Sequence, residues 1–468
     1  MADAIGGGGR RRRLRVFFLP FFAKGHLIPM TDLACRMAAA GPEEMDATMV
    51  VTPGNAALIA TAVTRAAARG HPVGVLCYPF PDVGMERGVD PSTRRSSSST
   101  APTPSSPTCP SGGPPDIAAE LGVPRLTFSP VGVFPQLAMN NLVTVRAEII
   151  RAGDAAPPVP VPGMPGKEIS IPAFELPNFL LRDDQLSVSW DRIRASQLAG
   201  FGVAVNTFVD LEQTYCHEFS RVDARRAYFV GPVGMSSNTA ARRGGNGNDE
   251  CLRWLSTKPS RSVVYVSFGS WAYFSRRQVR ELALGLEASN HPFLWVIRPE
   301  DSSGRWAPEG WEQRVAGPRH GGSTGARRSW PCWAHPSVGA FVSHCGWSSV
   351  LEAASAGVPV LAWPLVFEQF INERLVTEVV AFGARVRGGG RRSAREGEPE
   401  TVPAEAVARA VAGIMARGGD GDRARARARV LAERARAAVG EGGSSWRDIH
   451  RLIDDLTEAT ASPEPQLQ

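Results

Sequence analysis

The chain has 468 residues, of which 43% are hydrophobic and 21% charged, with a formal net charge of +6. This length exceeds one ordinary hydrophobic core and calls for two domains, and the balance is that of a soluble globular protein. No stretch is long enough to span a membrane, and the positive charge does not gather into a stripe interleaved with aromatics, so neither a bilayer nor nucleic acid is an expected partner. The arginine-rich run RARARARVLAERARAAV (423–439) reads instead as a solvated helix face. Seven cysteines are dispersed, with no C-x-x-C and no Cys/His ligand spacing. That suits reduced thiols in the cytoplasm and gives no metal site.

In chain order, a basic glycine-rich tail (1–12) leads into strands at 14–19, 47–51 and 73–78, alternating with helices at 29–40 and 55–68. PFFAKGH (20–26) reads as the first loop. Strands alternating with helices argue a parallel α/β sheet. The pattern then breaks. The stretch 91–115 is rich in Pro, Ser and Thr, has almost no apolar residue, and lacks the helix and strand that the alternation calls for. It resumes with a helix end at 116–121, a strand at 125–128, a helical run at 136–150, a strand at 202–205, a helix at 211–219 and a strand at 227–230. SSNTAARRGGNGND (236–249) has the composition of a linker. A second α/β series follows: strand 262–268, a turn at Gly269 and Ser270, helix 276–288 and strand 293–297. A second irregular stretch covers 318–333, and helices lie near 404, at 423–439 and at 445–456. The expected architecture is therefore two Rossmann-like domains facing a cleft, 13–235 and 250–440. A terminal helix (441–460) packs back towards the first, and a tail (461–468) follows.

The most informative stretch is HPSVGAFVSHCGWSSVLEAASAGVPVLAWPLVFEQF (335–370). The apolar runs 338–342 and 358–363 suit buried parallel strands. Gly346 stands where the backbone must turn, Ser349 and Glu352 spell the S-x-x-E of a capping box, and Gly357 sits where a helix end wants a left-handed residue. A strand feeding a capped helix presents backbone N–H groups at the crevice above the sheet, a ready anion site. Singly, each residue has a plainer role. Ser349 is an N-cap, Glu352 completes the box, His344 is a loop histidine, Trp347 and Trp363 are core, and Glu368 and Gln369 are surface polar groups. Their joint spacing is what raises them.

This box closely resembles the signature of plant UDP-dependent glycosyltransferases of the secondary-product family, which have the GT-B fold. PFFAKGHLIP, PFPDVG, DIAAELGVPR, VVYVSFGS and FLWVIRP match the same family in order. The resemblance implies that the anion is the diphosphate of UDP-glucose, a co-substrate, and that no separate cofactor or metal takes part. It places His344, Ser349 and the backbone of Gly346, Trp347 and Ser348 on the diphosphate, with help from Ser270. Glu352 would hold the ribose diol, a pairing a carboxylate suits as a double acceptor. Glu368 and Gln369 would hold the sugar, Gln369 favouring glucose. His26 would be the general base for an inverting transfer to a hydroxyl of a flavonoid, phenolic or terpenoid acceptor, a task suited to a group titrating near neutrality. The chain is read as a monomer.

The sequence departs from the family in three places. The aspartate that orients the histidine base is missing: Thr108 stands at its position, and Asp116 matches a later aspartate of that motif. Ala326 stands where a tryptophan stacks on uracil, and Ser329 where a glutamine follows it. Ser348 replaces an asparagine. Written in GC-rich codons and shifted by one base, both irregular stretches can give family-like text, and the expectation is that both are frame-shifted, by mutation or by a mistaken gene model. Two other readings follow from the same residues. One is a relative with impaired or no catalysis that binds UDP-sugar at most. The other is a nucleotide-dependent oxidoreductase, which ranks last because no strand is followed by G-x-G-x-x-G. Sequencing the transcript is expected to differ from this chain across 91–115 and 318–333. A clean match would remove the gene-model explanation.

Overall fold

Runs such as VVYVS and VGAFVS carry apolar residues on both faces, which only strands covered on both sides can use. The computed structural model describes residues 13–79, 114–153, 157–235, 249–269, 274–297, 307–315, 320–324, 332–387 and 400–461. The first half runs β1 (Leu14–Phe18), α1 (Lys24–Ala40), β2 (Met45–Val51), α2 (Pro53–Ala67), β3 (Val73–Cys77), α3 (Pro114–Glu120), β4 (Leu126–Ser129), α4 (Val133–Val143) and α5 (Arg146–Ala152). It continues through the short antiparallel pair β5 (Val159–Pro160) and β6 (Ser170–Ile171), then α6 (Gln185–Ala199), β7 (Gly202–Val205), α7 (Val209–Val222) and β8 (Ala227–Phe229). The second half runs α8 (Asp249–Ser256), β9 (Val263–Ser267), α9 (Arg276–Ala288), β10 (Phe293–Ile297), α10 (Trp311–Val315), β11 (His320–Thr324) and β12 (Val338–Ser343). After it come α11 (Trp347–Ala356), β13 (Val360–Ala362), α12 (Gln369–Arg374), β14 (Gly383–Arg385), α13 (Ala404–Met415), α14 (Asp420–Val439) and α15 (Ser444–Ala461).

The second half is one parallel sheet in the order β11-β10-β9-β12-β13-β14, so the strand order reverses between β9 and β12. Ligands of such sheets bind in the crevice at the carboxyl ends of the strands, at that reversal. The first half starts the same way, as β3-β2-β1, but β4, β7 and β8 form a separate three-stranded sheet. Among the described residues β1 and β4 are edges of two sheets, on either side of the first half's own reversal point. The linker 236–249, except Asp249 in α8, and most of 91–115 and 318–333 lie outside the described residues. Within the second irregular stretch His320–Thr324 forms an edge strand, held by its ladder to β10 although HGGST has little intrinsic strand preference.

Strand alternation divides β7 and β8 between two cores. Ala204 and Tyr228 face a core made with β1 to β3, α1 and α15, whereas Val203, Val205 and Phe229 face one shared with Val338, Phe341 and Trp347 of the second half. Helix α15 is thus covalently last but packed first. Ile449, Leu452, Ile453 and Leu456, one helical stripe, are buried against the opening sheet, each contributing about 1.5–3 kcal/mol. Polar pairs lock it along the edge strand β8. The Tyr228 hydroxyl donates to Asp455 at 2.6 Å, and the Phe229 N–H donates to Asp448 at 2.6 Å.

Two local expectations change. Helix α1 opens at Lys24, not Pro29, which lies inside it. Pro29 is the sixth residue of the helix, past the first turn, so α1 runs on through it with one i→i−4 hydrogen bond, to the Gly25 carbonyl, not made. The run 136–150 is two helices, α4 and α5, parted at Thr144 and Val145. The opening of α4 has a capping group from far along the chain. Glu212, in non-helical backbone near the start of α7, accepts from the N–H groups of Val133 (3.1 Å) and Phe134 (2.6 Å) and from the Thr207 hydroxyl. Burial of Glu212 pushes its carboxyl up to about 7 from an ordinary 4.5, against the pull of those three hydrogen bonds. The folded chain therefore keeps this proton to higher pH than the unfolded chain. Stability attributable to the group falls as pH rises from 4.5 towards 7, by at most about 1.4 kcal/mol per pH unit. Urea unfolding at pH 5 and pH 7.5 is expected to show a smaller loss of stability with rising pH in Glu212→Gln than in the wild type.

Candidate functional site

At the reversal point of the second sheet, two chain segments leave the carboxyl ends of β9 and β12 and meet. Gly269, left-handed at φ +68, ends the first, and His344 begins the second. A Cβ at Gly269 would stand 2.8 Å from His344 Cε1, and one at Gly346 would stand 2.5 Å from His344 Nε2. The imidazole is seated between two glycines, and no larger residue fits on either side. The turn expected at Gly346 falls instead at Cys345, left-handed at φ +61, while Gly346 is extended at φ −59 and ψ 140. Glycine is needed at 346 for the approach of His344, not for its dihedral. A left-handed cysteine is strained. It is held by its N–H donating to Ser343 Oγ at 3.1 Å and by Asn372 Nδ2 donating to its carbonyl at 2.9 Å.

The capping box is a second correction. Helix α11 begins at Trp347 with Gly346 as its N-cap, so Ser349 is the third helical residue and Glu352 lies well beyond the first turn. The S-x-x-E spacing is real, but the His344–Gly346 turn starts the helix earlier than a Ser349 cap allows. A glycine cap brings no side chain, and among the described residues no side-chain hydrogen bond caps the start of α11. Ser348, Ser349 and Glu352 are all half-buried on this helix. Gly357 closes it in the left-handed conformation, φ +73, as the sequence predicts. Ser270 lies outside the described residues.

The Trp347 side chain is core, as its plainer reading has it: it is 3% exposed and donates from Nε1 to the Asn206 carbonyl of the first half at 2.7 Å. Only its backbone can face the anion site. Glu368 is half-buried at the head of α12, and burial pushes its carboxyl up to about 7. Gln369 is buried, and its Oε1 accepts from the N–H groups of Leu365 (3.0 Å) and Val366 (3.1 Å). This residue braces its own loop, leaving the NH2 end to reach a ligand. Just before the pair, Phe367 is left-handed (φ +55) and reaches Phe179 and Trp190 of the first half at ring distances of 5.9 and 6.3 Å. Trp333, near the expected uracil platform, is buried in the shared core, and Ala326 and Ser329 lie outside the described residues.

His26 is in the first turn of α1, just past the carboxyl end of β1. It is half-buried, with its ring edge-on to Phe21 at 5.3 Å. Burial lowers its pKa below 6.5, so the ring is neutral at neutral pH. Among the described residues no side chain hydrogen-bonds this imidazole, and Thr108 lies outside them. Asn206, Gly132, Glu212 and Asn372 were not singled out from the sequence, because their roles are contacts between segments distant along the chain.

Two α/β halves, one with a glycine-flanked histidine and an uncapped helix start at its reversal point, the other with a neutral histidine after its first strand, define a two-Rossmann transferase of the GT-B class. A profile of the family described as UDP-glucoronosyl and UDP-glucosyl transferase matches residues 246–388. The chain is 33% identical to UDP-glucose flavonoid 3-O-glucosyltransferase 7 of Fragaria ananassa, covering 96% of this chain and 97% of that one. It is 33% identical to scopoletin glucosyltransferase of Nicotiana tabacum, covering 95% and 98%. Its fold is similar to the crystal structure of Glycyrrhiza uralensis UGT73P12 complexed with glycyrrhetinic acid 3-O-monoglucuronide, with TM-score 0.82, 30% identity and 96% and 97% coverage. The chain belongs to the UDP-glycosyltransferase family.

Two glycines test the seat of His344. Gly346→Ala forces the ring to move and is expected to abolish thermal protection by UDP while leaving a folded protein. Gly413→Ala, inside α13 with nothing within 4 Å of the added carbon, is expected to raise stability by roughly 0.5–1 kcal/mol and keep that protection.

Proposed function

We propose that the chain moves glucose from UDP-glucose to a hydroxyl of a small plant-type secondary metabolite, a flavonoid, phenolic or terpenoid, with inversion at the anomeric carbon. The observation that carries this reading is the seat of His344 between Gly269 and Gly346 at the reversal point, beside the backbone N–H groups that open α11. Donors converging on the positive end of a helix suit a diphosphate. Ser349 lies in that first turn, Ser270 follows Gly269 in sequence, and Glu352 takes the ribose further along α11. Glu368 accepts from a sugar hydroxyl, and the NH2 end of Gln369 donates to another.

In the reaction, neutral His26 takes the proton of the acceptor hydroxyl. The acceptor oxygen forms a bond to the anomeric carbon as the bond from that carbon to the UDP oxygen breaks, and UDP leaves with the electron pair. The start of α11 and His344 stabilise the charge on the departing diphosphate. As proposed, the transfer uses no metal or other cofactor, and the enzyme works as a cytoplasmic monomer. The relatives named above act on a flavonoid and on scopoletin by their names, which supports a phenolic acceptor.

The test is UDP release from UDP-glucose with a flavonol acceptor. His26→Ala is expected to lower kcat by about 10²–10⁴-fold with UDP affinity unchanged. Activity requires the neutral imidazole. The acid limb of kcat/KM is therefore expected below pH 6.5, with rate lost as pH falls through the lowered pKa of His26 and that limb absent in His26→Ala. A wild-type chain that releases no UDP with any such acceptor contradicts the reading.

A further inference from the structure

The Trp347 indole enters a slot in the first half. Besides its 2.7 Å hydrogen bond to the Asn206 carbonyl, the ring passes so close to Gly132 that a Cβ there would stand 2.3 Å from Cη2 and Cζ2. Gly132 has an ordinary φ of −65, so closeness, not dihedral freedom, demands glycine. The two lips of the slot are tied to one carboxylate. Glu212 accepts from Val133 and Phe134 beside Gly132, and from Thr207 beside Asn206. Further bonds hold each lip. The Asn206 N–H donates to the Ser129 carbonyl (2.9 Å), its Oδ1 accepts from Val233 N–H (3.0 Å), and Gln136 Nε2 donates to the carbonyls of Val131 (3.0 Å) and Gly132 (3.1 Å). A buried polar network satisfied in this way holds its members in one arrangement.

Trp347 is also the first residue of α11, between Gly346 and Ser348. Clamping its side chain in the other half fixes the backbone N–H groups on either side of it. We propose that Gly132 and Asn206, which belong to the half carrying His26, are positioning residues for the diphosphate loop and act through Trp347. The proposal rests on the reading of Gly346 to Ser349 as the diphosphate site. It makes donor affinity depend on the half that does not hold the donor.

The test is calorimetric UDP binding to the full chain, with donor and acceptor KM and kcat measured alongside and melting followed. In Gly132→Ala the added carbon displaces the indole. UDP affinity is expected to fall about tenfold and KM for UDP-glucose to rise in step, with kcat changed less and one cooperative melt retained. Trp347→Phe keeps a ring and removes only the N–H, with an expected loss of about fivefold. A folded Gly132→Ala that binds UDP within about twofold of wild type overturns the proposal. So does a lowered melting point with unchanged UDP affinity, the signature of a contact that only holds the halves together. Should Gly132→Ala not fold, Trp347→Phe decides by the same criterion. A wild type that fails to bind UDP overturns the diphosphate reading and this proposal with it. Wild-type binding with unchanged variants overturns the positioning role alone.

Discussion

The hydrogen bond from the Trp347 indole to the Asn206 carbonyl joins the two halves where both do their work. It lies one residue from the turn that seats His344 and one residue from Thr207, which shares Glu212 with the start of α4. A buried indole N–H must find an acceptor, and a buried carbonyl tolerates desolvation poorly without a donor. Each half therefore supplies what the other cannot leave exposed. Close by, Arg374 pairs with Glu175 at 2.8 Å, with both groups almost fully buried, and donates to the Ser170 carbonyl at 3.1 Å. Buried charges of this kind constrain geometry more than they add stability, because removing either partner strands the other. The cleft is thus bounded by contacts that do not tolerate sliding.

The first half is the more precarious part. Its described strands form two three-stranded sheets, and Phe17 and Leu19 at the β1 side are about half exposed. Among the described residues what joins these sheets is not a ladder but shared cover. Helix α15 lies against β1 and β8, and alternating residues of β7 and β8 reach into both cores. The terminal helix therefore completes a core begun at residue 14, and His26, which follows β1, depends on a segment more than 400 residues away for its setting.

Much of the architecture was legible in local pattern. The runs 262–268, 293–297 and 338–342 read as parallel strands and 276–288 as a helix, and the structure forms β9, β10, β12 and α9 there to within a residue. The box from 335 to 370 carried its strand, helix and left-handed Gly357 in order. What local pattern misjudged were helix starts. Pro29 looked like a first residue and Ser349 like a cap. In each case the chain began its helix earlier, at Lys24 and at Trp347. Gly346 was expected to turn, yet it is extended and gives room to His344, while Cys345 turns, held by Asn372.

By itself the sequence determined the alternation of strands and helices, the order of the second sheet's motifs, and the chemistry of the candidate groups, because these depend on residue type and short spacing. Only the tertiary structure decided which side chains reach the cleft. The Trp347 indole found its core place in the slot at Gly132, Gln369 turned its oxygen onto its own loop, and Glu212 became the tie between β7 and α4. Those outcomes depend on steric room and hydrogen-bond saturation between segments far apart in the chain, which no local spacing encodes.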